Sequence, residues 1–222
     1  MIATLLALSL TALDDSKLKI QPNPTAGATR SLSFDVLSEI QGHDSELKAV
    51  VVTTITKVGP GRTEYTVDWQ KMELTEGGDP EQLRFKPYQV AVGPHGEVLD
   101  LKGGLGEQGA DPVCAFLVGY FPITDSELEK GKPLTFTLPG DGKRIPELKV
   151  TETLIGGESL GGVDCFKIRV GLHATKSDFA VDANYYVDKS GNVLKESGSY
   201  SKLPIPNAGI TIDGTIDEKV IG

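Results

Sequence analysis

A serine flanked by glycines is the first place where this sequence could carry chemistry. The G-x-S-x-G pattern occurs as Gly157-Glu158-Ser159-Leu160-Gly161. In hydrolases this pattern places a nucleophilic serine on a sharp turn between a strand and a helix, where backbone amides stabilise the oxyanion. Here residues 163–170 alternate apolar and polar side chains, which predicts a strand in place of that helix. His173 is the only histidine that follows, so a serine hydrolase stays a remote alternative.

The remaining polar residues give no support to metal or acid–base chemistry. The histidines, His43, His95 and His173, are far apart in sequence and have neither i, i+4 spacing nor a cysteine cluster beside them. Acidic residues are spread along the outward faces of predicted strands, and no pair stands out as a general acid and base. The glycine-rich run at 102–106 lacks the Gly-Lys-Ser/Thr ending of a phosphate loop. We therefore predict a non-enzymatic protein with no catalytic residue, no metal site and no cofactor.

The two cysteines, Cys114 and Cys165, leave a disulfide open. An even number of cysteines in an oxidising compartment favours a bridge. Alternation, however, places Cys165 on an outward strand face with Lys167 and Arg169, whereas Cys114 belongs to an apolar segment that we expect inside. A bridge requires Cα atoms within about 7 Å, and the sequence does not decide whether these two residues meet that condition.

Four aromatic residues are the candidates for ligand binding, namely Trp69, Phe116, Phe121 and Phe166. If the elements that carry them leave a cavity, these side chains would line it. The alternative is an ordinary packed core, since inward-facing aromatic residues are what a sheet packs with. Only a cavity would make them a binding site.

Composition and charge exclude several classes of protein. The chain has 222 residues, of which 39% are hydrophobic and 24% charged, as in a folded protein and unlike a disordered or collagen-like one. This length suffices to bury the core of one β domain. With 22 basic and 31 acidic residues, the net charge is -9. Because no basic cluster offsets that charge, nucleic acid and anionic membrane surfaces are poor partners.

The N-terminal segment predicts export. Residues Met1 to Ala12 form a mostly apolar run, and Leu13-Asp14-Asp15 follow directly. The run is shorter than the roughly 20 residues of a transmembrane helix and is typical of a secretory signal peptide cleaved near Ala12. The alternative is a buried N-terminal strand or helix. We expect a signal peptide at 1–12 and a single β domain at 13–222, not membrane-spanning and located in the periplasm or outside the cell.

Most of the chain has the period of strands that bury one face. Tyr65, Val67 and Trp69 share one side of their segment, and polar residues occupy the other. The same alternation recurs in two later segments, with inward sets Phe166, Ile168, Val170 and Val181, Ala183, Tyr185, Val187. Short glycine-containing turns separate such segments, which predicts antiparallel pairing because parallel strands need long crossovers.

One segment departs from this period. Asp111 is a good N-cap residue and Pro112 suits the first helical position. The apolar run that they introduce continues to Phe121 and stops at Pro122. We predict a short apolar helix over 111–121, with a buried strand as the alternative.

Two parts of the chain resemble each other in order, spacing and inward face, namely residues 46–103 and 147–198. The matching pairs are Glu46 and Glu147, Tyr65 and Phe166, Val67 and Ile168, Val92 and Val187, Gly96 and Gly191, Val98 and Val193. The identities are few, and hairpins converge on such patterns through turn chemistry. We favour two related meanders over coincidence.

The order of these segments resembles a known group of proteins. The motifs are Gly131-Lys132-Pro133-Leu134, the run 161–168 that reads GGVDCFKI, and the turn Tyr186-Val187-Asp188 with Gly191. They are similar to those of an uncharacterised family of exported bacterial proteins with a strongly curved antiparallel sheet. The chain is more distantly similar to the lipoprotein-carrier superfamily, in which an open half-barrel surrounds an apolar helix and can hold acyl chains. These motifs are structural, and the resemblance implies no catalytic residue.

We therefore expect an all-β fold, with a strongly curved sheet or open half-barrel built from two similar meanders and one short apolar helix. The leading functional hypothesis is an exported, non-enzymatic protein that binds an apolar or lipidic ligand. Its rival is a structural or protein-interaction module with a filled core and no ligand. A carrier requires a continuous apolar cavity, whereas an interaction module requires an exposed apolar patch or an unprotected edge strand.

Overall fold

The computed structural model describes residues 15–40, 42–84, 86–103, 121–140, 146–205 and 210–221. In this part of the chain all regular secondary structure is β. The strands are β1 (Lys17–Leu18), β2 (Thr29–Ile40), β3 (His43–Gly59), β4 (Arg62–Glu76), β5 (Glu81–Leu83), β6 (Tyr88–Val92), β7 (Val98–Lys102), β8 (Leu128–Glu129), β9 (Pro133–Leu138), β10 (Leu148–Leu160), β11 (Val163–Ala174), β12 (Ala180–Val187), β13 (Val193–Ile205) and β14 (Ile210–Val220). The predicted helix over 111–121 lies outside these residues except for Phe121, as do the predicted signal peptide and Cys114.

One large antiparallel sheet dominates the fold. Its strand order is β7-β6-β4-β3-β2-β14-β13-β12-β11-β10-β9, with β5 paired to β4. Among the described strands, β7 pairs only with β6 and β9 only with β10, so the sheet is open. The strands β1 and β8 form a separate antiparallel pair, and the buried Leu18 and Leu128 join the core from it. The predicted all-β, mostly antiparallel fold is confirmed.

Period two in the sequence predicts most of the buried residues of these strands, with Cys165 as an exception. On β11 the side chains of Phe166, Ile168 and Val170 are buried, and Val67 and Trp69 are buried on β4. The four predicted inward residues of β12 are all buried too, namely Val181, Ala183, Tyr185 and Val187. Alternate side chains of a strand point to opposite faces of the sheet, so these residues form a continuous apolar inner face.

Each half of the large sheet is a meander with the same strand order. The strands β3, β4, β6 and β7 are neighbours in the sheet and follow one another along it, and so do β10, β11, β12 and β13. The β6–β7 and β12–β13 turns also have the same hydrogen bonds: Gly93 N donates to Glu97 O and Asp188 N donates to Asn192 O, over 2.8 and 3.1 Å.

The registers of the two meanders differ by two residues. Tyr65 lies opposite Val90, whereas Phe166 lies opposite Val187, the counterpart of Val92. A shift of two residues keeps every side chain on its face, so inward residues stay inward in both meanders. An origin of the two halves by duplication stays a prediction.

Candidate functional site

A cavity of about 380 Å³ lies on the inner face of the first meander. Ligand sites are commonly clefts of roughly 300–1,000 Å³, so the volume suits a small ligand. Strands β2, β3, β4, β6 and β7 supply nearly half of the lining residues, and the rest come from residues 22–28, 93–96, 121–123 and 190–192. The lining residues are Pro22, Asn23, Pro24, Thr25, Ala28, Arg30, Leu32, Thr53, Ile55, Thr63, Tyr65, Val67, Tyr88, Val90, Val92, Gly93, Pro94, Gly96, Val98, Phe121, Ile123, Ser190, Gly191 and Asn192.

The apolar wall follows from the alternation of three neighbouring strands. Tyr65 and Val67 on β4 lie opposite Val90 and Tyr88 on β6, and Ile55 on β3 lies opposite Tyr65. Because all of these are inward positions, the hydrogen-bonded registers stack their side chains side by side. The wall is therefore a consequence of the sheet itself.

Two turns close one end of the cavity. The Asp188 carboxylate accepts hydrogen bonds from Ser190 N (2.8 Å), Asn192 N (2.9 Å) and Asn192 Nδ2 (2.8 Å), and it thereby fixes the β12–β13 turn. The β6–β7 turn is joined to the segment after residue 120 through His95, whose backbone oxygen accepts from Ile123 N at 3.0 Å and whose Nδ1 lies 3.2 Å from Ile123 O. These hydrogen bonds therefore hold the loop segment around Ile123 against the β6–β7 turn at the rim of the cavity.

Arg30 is the charged residue of the cavity wall. It lies on β2 opposite Thr53 and on the same face as Leu32. Its Nη2 atom is buried and has no hydrogen-bond partner among the described residues. Burial lowers the pKa of the guanidinium, and the negative charges of Glu218 and Asp188 counteract that effect. A positive charge with a spare donor therefore faces a largely apolar space.

A pair of buried carboxyl groups lies on β13 and β14, the two strands that follow β2 in the sheet. Glu196 on β13 and Glu218 on β14 are cross-strand neighbours, and Tyr185 lies on the other side of Glu196. Burial and the neighbouring charge of Glu218 hold the pKa of Glu196 well above its usual range, although a hydrogen bond from Tyr185 partly offsets this. Two buried carboxyl groups on facing positions of neighbouring strands cannot both ionise at low cost.

Glu152 is a third buried acid, and it lies apart from the cavity wall. It is on β10, opposite Val170 and Leu134, and its side chain has no exposed surface. Neither of its carboxyl oxygens has a hydrogen-bond partner among the described residues. Burial raises its pKa to about 8, so Glu152 is mostly neutral at pH 7.

The four predicted ligand-binding residues have different surroundings. Phe121 lines the cavity and packs against Tyr185 with ring centroids 5.4 Å apart. Trp69 is a core residue outside the cavity wall: its ring meets Phe34 edge-on at 5.2 Å, and its Nε1 donates to the Tyr88 hydroxyl at 3.3 Å. Phe166 is also buried away from the wall. Phe116 lies outside the described residues, and a binding role for these four stays a prediction.

The residues of the serine motif are on an antiparallel hairpin. Ser159 is exposed near the end of β10, opposite Asp164, and the chain turns directly into β11. His173 is at the far end of β11, nine residues beyond Asp164, which is about 30 Å along a strand. The described residues therefore do not bring Ser159 and a histidine together.

Cys165 differs from its predicted position. Alternation assigns it to the outward face, yet its side chain is fully buried and its Sγ lies 3.6 Å from the backbone oxygen of Glu158. The sequence period identifies a face of the sheet but not what packs over it, and this explains the error. Cys165 is a free thiol whose pKa burial raises.

The sequence reasoning missed Arg30, Glu152, Glu196 and Glu218. Each is a charged residue at an inward position of its strand, as Arg30 is next to Leu32, Phe34 and Val36 on β2. A charged residue at an otherwise apolar inward position was therefore the feature of the sequence that could have identified each of them. In the described part of the chain, no group of three or more histidine, cysteine or acidic residues could hold a metal ion. No helix among those residues has the length and apolar character to cross a bilayer.

Comparisons with known proteins leave the identity of the chain open. No protein-family model matches it, and no curated protein gives a significant match. Among solved structures, it is similar to a protein from Parabacteroides distasonis ATCC 8503 described as a "putative lipoprotein". The match covers 92% of this chain and 99% of that one at 12% identity, with a TM-score of 0.34. A similarity this low carries no argument about function, and the resemblance to the lipoprotein-carrier superfamily stays a prediction.

Proposed function

We propose that this protein is a non-enzymatic, exported protein that binds a small apolar or lipidic ligand in the cavity of its first meander. The observation that carries the proposal is the cavity of about 380 Å³ that Tyr65, Val90 and Phe121 help to line. Folded cores are normally packed without large voids, so an apolar space of this size on the inner face suits a ligand.

Strong curvature of the sheet supports this proposal. Strands β6 and β13 lie five positions apart in the sheet, which is about 24 Å in a flat sheet. Nevertheless Val92 at the end of β6 and Gly191 just before β13 line the same cavity. A sheet that curls around its inner face accounts for both observations, and such a sheet is the shape that a carrier requires.

The rival hypothesis is a structural or interaction module. It requires a filled core, and the cavity counts against it. The large apolar side chains that are exposed among the described residues belong to five different strands and the C-terminal end: Leu37, Val58, Leu99, Ile155, Val163 and Ile221. Single exposed apolar residues are normal on soluble proteins. The edge strands β7 and β9 suit an interaction module, but the cavity does not, so we place the ligand-binding hypothesis first.

Filling the cavity is the test of this function. Val92→Trp adds a large side chain at the cavity wall, whereas Gln89→Trp adds the same side chain at an exposed position of β6. A fluorescent fatty acid is titrated against both variants and the parent protein. We expect saturable binding to the parent and to Gln89→Trp, and an affinity lower by about tenfold or more for Val92→Trp, equivalent to one lost side-chain contact.

The thermal stability of the same variants separates the two hypotheses. If the cavity is open, Val92→Trp occupies free space and changes the melting temperature little. If the core is filled, the added ring overpacks it and costs about 1–3 kcal/mol of unfolding free energy. A destabilised Val92→Trp variant, together with a parent protein that binds no probe, would leave the structural module as the better hypothesis.

A further inference from the structure

We propose that Arg30 makes the cavity selective for a single acyl chain that ends in a carboxylate. This inference rests on the proposed function, because it assigns a chemical class to the ligand of the same cavity. The proposed function and this inference concern different parts of the wall. The apolar strands hold the acyl chain of the ligand, and Arg30 holds its headgroup.

The position of Arg30 is unusual for a charged residue. Arg30 lines the cavity, its Nη2 is buried, and that nitrogen has no hydrogen-bond partner among the described residues. Arginine stays protonated in proteins, so this group keeps both its charge and its unused donor. A buried charge is costly unless it is paired and hydrogen-bonded. A bound anion would supply the missing acceptor.

Glu218 and Asp188 are acidic residues whose charges act on Arg30, but neither accepts a hydrogen bond from its Nη2. Asp188 accepts three hydrogen bonds within its own turn. Glu218 lies opposite the buried Glu196 on the neighbouring strand, and two such carboxyl groups do not both ionise at low cost. These groups supply a favourable field for Arg30 but leave its Nη2 unpaired. An acceptor from outside the chain is therefore the natural partner.

The remainder of the wall selects the rest of the ligand. Side chains around the cavity are mainly aliphatic and aromatic, as in Ile55, Val90 and Phe121. The hydroxyl-bearing Thr53 lies on β3, next to the strand of Arg30, and Tyr65 lies one strand further on, on β4. A cavity of about 380 Å³ is at the small end of the range for ligand sites, so we assign it a single medium-length acyl chain.

A carboxylate is the headgroup that matches arginine geometry best at this size. The guanidinium offers parallel N–H donors that a carboxylate can accept in a bidentate arrangement. A neutral alcohol of the same length would bury the same chain but leave the guanidinium charge unpaired. A cationic headgroup would meet charge repulsion from Arg30.

The test compares three ligands of equal chain length by calorimetry at pH 7.5: dodecanoate, dodecanol and dodecyltrimethylammonium. We expect the parent protein to bind dodecanoate about 10- to 100-fold more tightly than dodecanol, the range that charge-assisted hydrogen bonds provide. Binding of the cationic ligand should be weaker still. Arg30→Gln should remove the preference for dodecanoate and leave dodecanol binding within about twofold.

Arg62→Gln is the matched control. Arg62 carries the same charge on β4 and pairs with Glu64 and Asp100, outside the cavity wall. We expect it to bind dodecanoate like the parent protein. Arg30→Lys keeps the charge but loses the bidentate geometry, so it should retain part of the preference. If Arg30→Gln does not fold, the ligand preference of Arg30→Lys is measured in its place.

The outcomes distinguish this inference from the proposed function. Failure of all three ligands to bind the parent protein would overturn both. Equal binding of dodecanoate and dodecanol, or an unchanged preference in the Arg30 variants, would overturn the headgroup assignment and leave the apolar cavity as the site. An equal loss in Arg62→Gln would show that general charge, and not Arg30, attracts the anion.

Discussion

Buried carboxyl groups set the pH response of this protein at the scale of single residues. Glu152, Glu196 and Glu218 have almost no exposed surface, and burial disfavours the charged form of an acid. Such groups cost stability when they ionise. The inward position of each was visible in the alternation of its strand, but its surroundings depend on strand pairing, which no local pattern specifies.

The stability of the protein should fall as the pH rises through the range where Glu152 ionises. Its pKa is about 8 in the folded protein, against 4.5 ordinarily. The folded state therefore keeps a proton that the unfolded chain releases. The contribution of this bound proton to the unfolding free energy is fully present below about pH 4.5. It is lost as the pH rises towards 8, by up to about 1.4 kcal/mol per pH unit.

Glu152→Leu should remove this dependence. At pH 5 the variant should gain about 1–3 kcal/mol of unfolding free energy, because an unpaired buried polar group disappears, and the gain should grow towards pH 8. Urea unfolding at both pH values measures it, with Glu147→Leu, an exposed acid just before β10, as control. A gain that does not depend on pH would mean that Glu152 is not the titrating group.

At the scale of elements, turns hold the cavity wall together. The β12–β13 turn needs glycine at Gly191, where φ is +77°. A Cβ atom there would also lie 2.8 Å from Cγ2 of the buried Ile20. The turn thus fixes both the hairpin and its contact with the chain segment that follows β1.

Gly191→Ala should therefore be more costly than an alanine at an open turn. Gly61 has a similar φ of +65°, but a Cβ atom there would have no other atom within 4 Å. Both variants bear the backbone cost of about 1–2 kcal/mol, and only Gly191→Ala must displace Ile20. We expect it to lose about 1–3 kcal/mol more in chemical denaturation. Equal losses would show that the contact with Ile20 is loose.

Sequence patterns account for strand faces but not for the space between them. Period two predicted the buried faces of Phe166 and Ile168 because alternation is a local property of a strand. It could not separate Phe121, which lines the cavity, from Trp69, which packs on Phe34. Trp69 is an inward residue of β4, whereas Phe121 lies before β8 and outside any strand, so alternation says nothing about its surroundings.

At the scale of the whole molecule, one open sheet gathers residues from distant parts of the sequence around one space. Residues near 30, 65, 90, 121 and 191 all line the cavity. Such long-range closure makes the cavity dependent on both meanders, since the β12–β13 turn of the second closes a site built mainly by the first. Ligand binding should therefore stabilise the fold as a unit.

Export is a prediction at the same scale. The apolar run before Leu13 is expected to act as a signal peptide and to be removed. N-terminal sequencing of the protein recovered from the periplasm or medium should begin near residue 13. Recovery of intact Met1 in the soluble cytoplasmic fraction would contradict export.

The most direct test of the central claim is a crystal structure of the protein grown with dodecanoate. We expect continuous electron density for one acyl chain between Tyr65, Val90 and Phe121, with its carboxylate within hydrogen-bonding distance of the Arg30 guanidinium. A cavity that is filled by the protein's own side chains, or one that stays without density at a saturating ligand concentration, would contradict the claim that this sheet encloses a ligand site.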